Sequence, residues 1–326
     1  MTLIGYHASH EQFSPSQLLR YVQAAEGAGF AAAMCSDHFH PWSAAQGNSG
    51  FAWSWLGAAL QATGFSFGTV NSPGQRYHPA IVAQAAATLS AMYPDRFWLA
   101  VGSGEALNES ITGQRWPAKE ERNARLKECV DIMRALWAGE TVTHHGLVTV
   151  EQATLYTRPA RPPQVFGAAI TARTAAWLAE WADGLITIAQ ERATMEELIQ
   201  AWRDGGGRDK PMYLQAFLSW TESEEEARIA AHEQWRSTLL GSSVLAELRL
   251  PEQFDAAAEF VSLDDVAQTM RVSSDLERHI DWLTGDAEMG FERIYVHNVS
   301  RQQELFIETF GERVLPRLGR SAAAAR

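Results

Sequence analysis

The chain has few cysteines, no long apolar run and no excess of positive charge. Two cysteines among 326 residues, Cys35 and Cys129, make no disulfide framework, so a reducing cytoplasm is expected. No apolar stretch approaches the roughly 20 residues that a membrane-crossing helix needs. The first residues, Met1-Thr2-Leu3-Ile4-Gly5-Tyr6-His7, lack a basic region followed by a long apolar segment and do not read as a signal peptide. With 27 basic against 39 acidic side chains the net charge is -12. That argues against nucleic acid or an anionic membrane as the main partner. The Ala-rich stretch Ser321–Arg326 lies past the last apolar helix and is expected to be a disordered tail.

What the chain has instead is a regular alternation of short apolar runs and longer helical segments. Strands are expected at Thr2–His7, Ala31–Cys35, Phe65–Val70, Phe97–Val101, Gln164–Ala168, Gly184–Ile188, Pro211–Leu218 and Arg293–His297. Helices are expected at Pro15–Ala28, Phe51–Ala62, Pro79–Met92, Lys119–Trp137, Thr171–Trp181, Thr194–Asp204, Ser223–Leu240 and Arg301–Leu315. Eight strand–helix units imply a parallel α/β barrel, a (β/α)8 fold, occupying residues 1–320 as one domain. In the fourth helix Leu126, Val130, Met133 and Trp137 form one apolar stripe, which leaves Arg122, Arg125, Glu128 and Asp131 for water. Ser223 followed by Glu224, Glu225 and Glu226 reads as a helix start. Thr141–Tyr156 reads as a hairpin turning at His144-His145-Gly146, and Leu245–Glu288 as a mostly helical insertion between strands seven and eight.

Four loops at the C-terminal ends of these strands carry chemistry, and in a parallel barrel that end is where ligands bind. After strand two comes Ser36-Asp37-His38-Phe39-His40-Pro41-Trp42. His38 is a candidate general acid or base and Asp37 its orienting acid, against the plainer reading of a loop cap and a satisfied imidazole. After strand four comes Gly102-Ser103-Gly104-Glu105-Ala106-Leu107-Asn108-Glu109, which points Glu105 into the same mouth. It lacks the lysine of a P-loop and the third glycine of a dinucleotide fingerprint. Thr69-Val70-Asn71-Ser72-Pro73-Gly74 and Arg76-Tyr77-His78-Pro79 follow strand three and are explained by turn chemistry alone. Gly167–Thr174 follows strand five, where small residues, a helix N-terminus and Arg173 suit a phosphate.

Taken in order, these motifs resemble the bacterial luciferase-like superfamily of flavin- and deazaflavin-dependent oxidoreductases, in the branch of the F420-dependent glucose-6-phosphate dehydrogenases. The residues that carry the resemblance are Ser36-Asp37-His38-Phe39-x-Pro41-Trp42, Ser54-Trp55, Arg76-Tyr77-x-Pro79-Ala80, Gly102-x-Gly104-Glu105-Ala106-Leu107-Asn108-Glu109 and Asp183-Gly184, spread over residues 3 to about 318. The resemblance implies a homodimeric barrel with a three-ring cofactor in its mouth. It implies that His38 and Glu105 move the proton during hydride transfer and that Trp42 walls the substrate. It gives cofactor contacts to Asp37, Thr69, Val70, Ser72, Ser103 and Asn108, with a non-proline cis peptide near Thr69-Val70. Ile170, Thr171, Arg173 and Thr174 would hold the cofactor phosphate. A subgroup of the branch expected to use FMN is more similar still, which favours FMN slightly over F420.

The departures separate two halves of that site. Where the sugar-phosphate dehydrogenases place Thr and Lys after strand six, this chain has Ile188 and Glu191, and a later lysine aligns with Asp255. A carboxylate repels a phosphate and Ile offers it no hydrogen bond. The expected substrate is therefore a small non-phosphorylated alcohol or carbonyl compound, in a pocket with Trp42, Trp55, Ile188 and Glu191. A monooxygenase of the same superfamily is the nearest alternative. A metal-dependent barrel hydrolase using His38-x-His40 is the more distant one, because the ends of strands five and six supply no further His or Asp ligand.

Overall fold

A computed structural model describes residues 2–318. The tail expected at 321–326 lies outside the described residues. Eight parallel strands close on themselves in chain order: β1 (Leu3–Ala8), β2 (Ala33–Ser36), β3 (Phe67–Asn71), β4 (Phe97–Val101), β5 (Val165–Ala168), β6 (Gly184–Ile188), β7 (Met212–Ser219) and β8 (Arg293–Asn298). Around them lie α1 (Pro15–Gly27), α2 (Ala52–Ala62), α3 (Pro79–Met92), α4 (Lys119–Ala138), α5 (Ala172–Ala179), α6 (Arg192–Trp202), α7 (Leu276–Glu288) and α8 (Gln303–Thr309). The first helix begins as its sequence dictates: Ser14 and Gln17 make a reciprocal capping box and Pro15 occupies the first turn.

Strand residues alternate between two apolar layers. One face packs the ring of helices, with Cys35, Phe67, Leu99, Val165, Leu214 and Val296 all buried there. The other fills the barrel axis with Met34, Trp98, Phe166, Ile186, Tyr213 and Tyr295. Glycines make room for these rings. A Cβ on Gly68 would lie 2.0 Å from the Trp98 indole, and one on Gly184 would lie 2.3 Å from Phe166. The axis is thus a packed aromatic plug, and open space begins only beyond it, toward the C-terminal ends of the strands.

The insertion differs from the expected boundaries. The helix that returns the chain from β7 to β8 is α7, which buries Leu276, Ile280 and Leu283 in the main core. The helix Glu224–Trp235 belongs to the insertion, started by Ser223 as expected. With helices 251–257 and 263–269 it encloses a separate small core of Ala227, Ala231, Trp235, Ala258, Val261 and Val266. The insertion therefore begins directly after β7. In the hairpin, His144 and His145 lie in the strand Val142–His145, and the turn falls at 146–148. Arg122 and Arg125 are buried, not solvated. Arg122 stacks over Trp116 and donates to the Pro117 carbonyl, and Arg125 donates to Gln75. A single-stripe reading fails for α4 because other segments cover its flanks. All peptide bonds among the described residues are trans, so the cis bond expected near Thr69-Val70 is absent.

Candidate active site

The first inward-facing residue of each strand beyond the plug forms the floor of the mouth, and the floor is asymmetric. On β3 to β6 it is made by Val70, Gly102, Ala168 and Ile188, which are small or apolar. On β7, β8, β1 and β2 it is made by Gln215, His297, His7 and Ser36, which are polar. A flat apolar ring suits the first half. A Cβ added to Gly102 would meet only the Ala168 Cβ, at 3.8 Å, so the space above is open. The second half offers hydrogen bonds.

His38 stands over this floor, but its orienting acid is not Asp37. His38 Nδ1 lies 2.7 Å from Glu11 Oε1, an ion-pair contact. The other Glu11 oxygen accepts from Ser9 at 2.9 Å and from Ser36 at 2.8 Å. Burial alone would raise the Glu11 carboxyl. The His38 charge and the bonds from His38 and Ser36 outweigh it and hold Glu11 well below the usual carboxylate range. Burial likewise disfavours a charged His38, yet the Glu11 charge and hydrogen bond, aided by Glu105, raise His38 above its ordinary value. With Nδ1 committed, Nε2 is the ring atom left to exchange a proton with a ligand.

Glu11 was absent from the sequence-based site. It lies in the turn after β1, and the last register pair of β1 and β2, Ala8↔Cys35, sets that turn next to the loop that carries His38. The buried polar run Ser9-His10-Glu11-Gln12 directly after a strand was the available signal.

Asp37 turns the other way. One oxygen accepts from Asn71 at 2.6 Å, the other from the Tyr77 hydroxyl at 3.0 Å, and Arg76 lies 3.5 Å away. Arg76 also faces Glu109, whose carboxylate accepts from the Arg76 backbone at 2.7 Å. This buried network ties the loops after β2, β3 and β4 together behind the site. Thr69 shares the outward face with Cys35, its register partner, and is fully buried, so its side chain does not reach the mouth. Asn108 is spent on the loop that carries His38, accepting from the backbone of Phe39 at 2.8 Å and His40 at 3.2 Å. His40 donates to the Leu107 carbonyl at 2.8 Å, so it does not pair with His38 as a metal-binding couple would.

Glu105 faces the mouth from the loop after β4. Burial raises its carboxyl, with His38 pulling the other way and Glu109 adding to the rise. Gly104 is required there. Its φ is +80° and a Cβ would fall 2.5 Å from the Ser72 hydroxyl. Ser103 accepts from Lys119 at 2.6 Å. Trp42 forms a wall: its ring meets His38 edge-on at 5.3 Å and Phe254 of the insertion at 5.4 Å. Trp55 does not line the pocket. It is buried between the strands and α1, edge-on to Phe67 and His10, with its N–H donating to the Pro15 carbonyl.

At the end of β5, Ile170 and Arg173 are exposed and Thr171 caps α5, accepting from the Thr174 backbone at 3.3 Å. Ile188 ends β6 half-buried, and Glu191 is exposed at the start of α6. Asp255 holds the insertion in place. It accepts from the Ser43 hydroxyl at 2.6 Å and the Ala44 backbone at 3.0 Å, fastening helix 251–257 to the Trp42 loop. Ala106 N–H donates to Ala246 at 3.0 Å and fastens the same insertion beside Glu105. Among the described residues, no group of three or more His, Cys, Asp or Glu side chains is placed to hold a metal ion, and no helix is long and apolar enough to cross a membrane.

Comparisons with known proteins bear on the family and the fold. Residues 1–293 match the family model described as luciferase-like monooxygenase. An F420-dependent glucose-6-phosphate dehydrogenase of Beutenbergia cavernae is 35% identical over 329 residues, covering 98% of each chain. A protein of the same description from Nakamurella multipartita is 35% identical over 96% of each chain. Among solved structures, an F420-dependent secondary alcohol dehydrogenase in complex with an F420-acetone adduct superposes with a TM-score of 0.88 at 31% identity, over 97% of this chain and 99% of that one. A coenzyme F420-dependent tetrahydromethanopterin reductase from Methanopyrus kandleri gives 0.78 at 18% identity, which bears on the fold alone.

Proposed function

The chain belongs to the luciferase-like monooxygenase family and is a flavin- or F420-dependent oxidoreductase; from that premise we propose that it is an F420-dependent dehydrogenase of small, non-phosphorylated secondary alcohols, or the corresponding ketone reductase. The observation that carries the proposal is the Glu11–His38 pair at 2.7 Å, set against the polar half of the floor and walled by Trp42. The relatives named above favour F420 over the FMN suggested by sequence resemblance. The residues present fit a flat three-ring head: Val70, Gly102, Ala168 and Ile188 leave an open apolar shelf. Thr171, Arg173 and Thr174, at the start of α5, are the groups that would meet its phosphate. Bound there, F420 would supply the hydride acceptor.

The protein's own groups do the rest. His38 Nε2 takes the alcohol proton, and Glu11 both fixes the ring and stabilises the imidazolium that forms. Glu105, its carboxyl raised by burial, retains a proton to higher pH than a solvated glutamate and faces the same space. Trp42 and the insertion exclude water.

Against a sugar phosphate, the segment after β6 supplies Ile188 and Glu191 and no cation before Arg192, which pairs with Glu196 at 2.8 Å. Glucose 6-phosphate remains the competing substrate because the relatives named above are described as its dehydrogenases. The test is steady-state turnover of purified protein with F420 and a series of secondary alcohols, beside glucose 6-phosphate, with parallel binding titrations of F420 and FMN. Turnover of glucose 6-phosphate above the alcohols, or tight binding of FMN alone, would overturn the reading. The homodimer expected from the resemblance belongs to the same proposal and is checked by light scattering.

A further inference from the structure

The loop that carries Trp42 is fastened to the barrel at one end and to the insertion at the other. Residues 43–46 form a tight turn, with the Gln46 N–H donating back to the Ser43 carbonyl at 3.1 Å and Gly47 following at φ +76°. On the barrel side, Ser49 donates to the His38 carbonyl at 2.7 Å and the Asn48 N–H donates to the Glu11 carbonyl at 3.0 Å. Arg301, beyond β8, donates to the Gln46 carbonyl at 3.2 Å. The loop is thus held to the same two segments that carry the proton pair.

The Gln46 side chain, fully buried, reaches the insertion. Its Oε1 accepts from the Trp42 N–H at 2.8 Å, and its Nε2 donates at 3.1 Å to the carbonyl of Gln234, near the end of helix 224–235. A backbone N–H only donates and a carbonyl only accepts, so the amide has one orientation. Neither a carboxylate nor an apolar side chain serves both. Gln234 is buried too, and its Oε1 accepts from Gln12 at 3.1 Å, directly after Glu11 in the chain. One residue of the insertion is therefore tied to the backbone of Trp42 and to the turn of Glu11. Buried polar contacts of this kind fix geometry, because losing one partner strands the other. The Trp42 ring meets both His38 and Phe254 of the insertion, so its placement sets the room left beside His38.

We propose that Gln46 is a positioning residue that registers the Trp42 wall to the insertion and so sets how bulky an alcohol fits beside His38. The inference rests on the alcohol reading above and deepens it: selection among carbon skeletons depends on the seat of helix 224–235.

Two measurements test it. The first is kcat and KM with F420 for propan-2-ol and for cyclohexanol, in wild type, Gln46→Met and Gln46→Glu. Met fills the volume and makes neither bond. Glu keeps an acceptor for the Trp42 N–H and, ionised, cannot donate to the Gln234 carbonyl, which isolates the link to the insertion. With the wall loosened, Gln46→Met should shift the kcat/KM ratio toward cyclohexanol by about ten-fold, the worth of one well-made hydrogen bond. The shift should come through KM, with kcat for propan-2-ol nearly unchanged, and Gln46→Glu should shift the ratio the same way. An unchanged ratio in either folded variant, or an equal loss for both alcohols, would make Gln46 a merely structural residue and overturn the proposal. The second is 19F NMR of cofactor-free protein labelled with 5-fluorotryptophan, with Trp42 assigned through Trp42→Phe. The Trp42 signal should move in the Gln46 variants and also in Asp255→Ala, which frees the insertion without touching Gln46, while Trp202 on α6 stays in place. A Trp42 signal that does not move in Asp255→Ala overturns the proposal even where a Gln46 variant fails to fold. If no alcohol is turned over, the dehydrogenase reading falls, while the 19F signals still report whether the insertion positions Trp42.

Discussion

Replacing Glu11 with Gln tests the central feature of the site without needing a known substrate. The side chain keeps its shape and loses its charge 2.7 Å from His38 Nδ1. At that distance, with an effective dielectric of roughly 20, the gross attraction is about 6 kcal/mol. Desolvation consumes most of it, and a buried bond to a charged group nets about 1.5–3 kcal/mol. The protonated form of His38 should therefore be disfavoured by roughly ten- to a hundred-fold, with burial left to dominate. An NMR titration should show His38 of Glu11→Gln titrating at lower pH than wild type, and the acid limb of the pH–rate profile for alcohol oxidation should move the same way. The stability effect has a definite sign. His38, raised in the folded state, contributes stability present below its ordinary value of 6.5 and lost as pH rises through its folded value. Glu11, depressed in the folded state, contributes stability present above its ordinary value of 4.5 and lost as pH falls through its folded value. Glu11→Gln should thus cost most stability between those two ordinary values and least in alkali. If His38 titrates at the same pH in both proteins, Glu11 does not control it and the proposed proton path is wrong.

Three further outcomes are expected. His38→Ala should lower kcat by about 10²–10⁴-fold, the range for a general acid or base, while fluorescence titration still detects cofactor binding. Asp255→Ala removes the bonds to Ser43 and Ala44 and should raise KM more than it lowers kcat, because it loosens the wall behind Trp42; equal losses in both would place Asp255 in the transition state instead. Gly68→Ala sets a methyl 2.0 Å from the Trp98 ring and should cost about 1–3 kcal/mol of overpacking, seen as a lower urea midpoint.

The barrel was legible because every strand is a short apolar run separated by a helical period, and Phe97–Val101 and Gly184–Ile188 fall where the composition sets them. The insertion was misdivided because Glu224–Trp235 and Leu276–Glu288 are both amphipathic; only tertiary packing decides which one covers the barrel. In the site, His38, Glu105 and Trp42 announce themselves by residue type at strand ends. Glu11 does not, since it lies in the turn after β1 and its partner in the loop after β2, and only the neighbouring of those two strands brings them together. Thr69 and Trp55 were misplaced for a related reason. Thr69 takes the outward side of the β3 alternation, and Trp55, on α2, packs against Phe67 outside the barrel.

The aromatic plug has a consequence for traffic. Trp98, Phe166, Tyr213 and Tyr295 close the axis from below, and the insertion is fastened across the rim at Ala106 and at Ser43. A chamber sealed at its base is entered from the rim. Molecules seated on the floor must arrive before those that rest above them and depart after them. Queueing is then imposed by walls, independent of affinity, and kinetics with two ligands should be ordered.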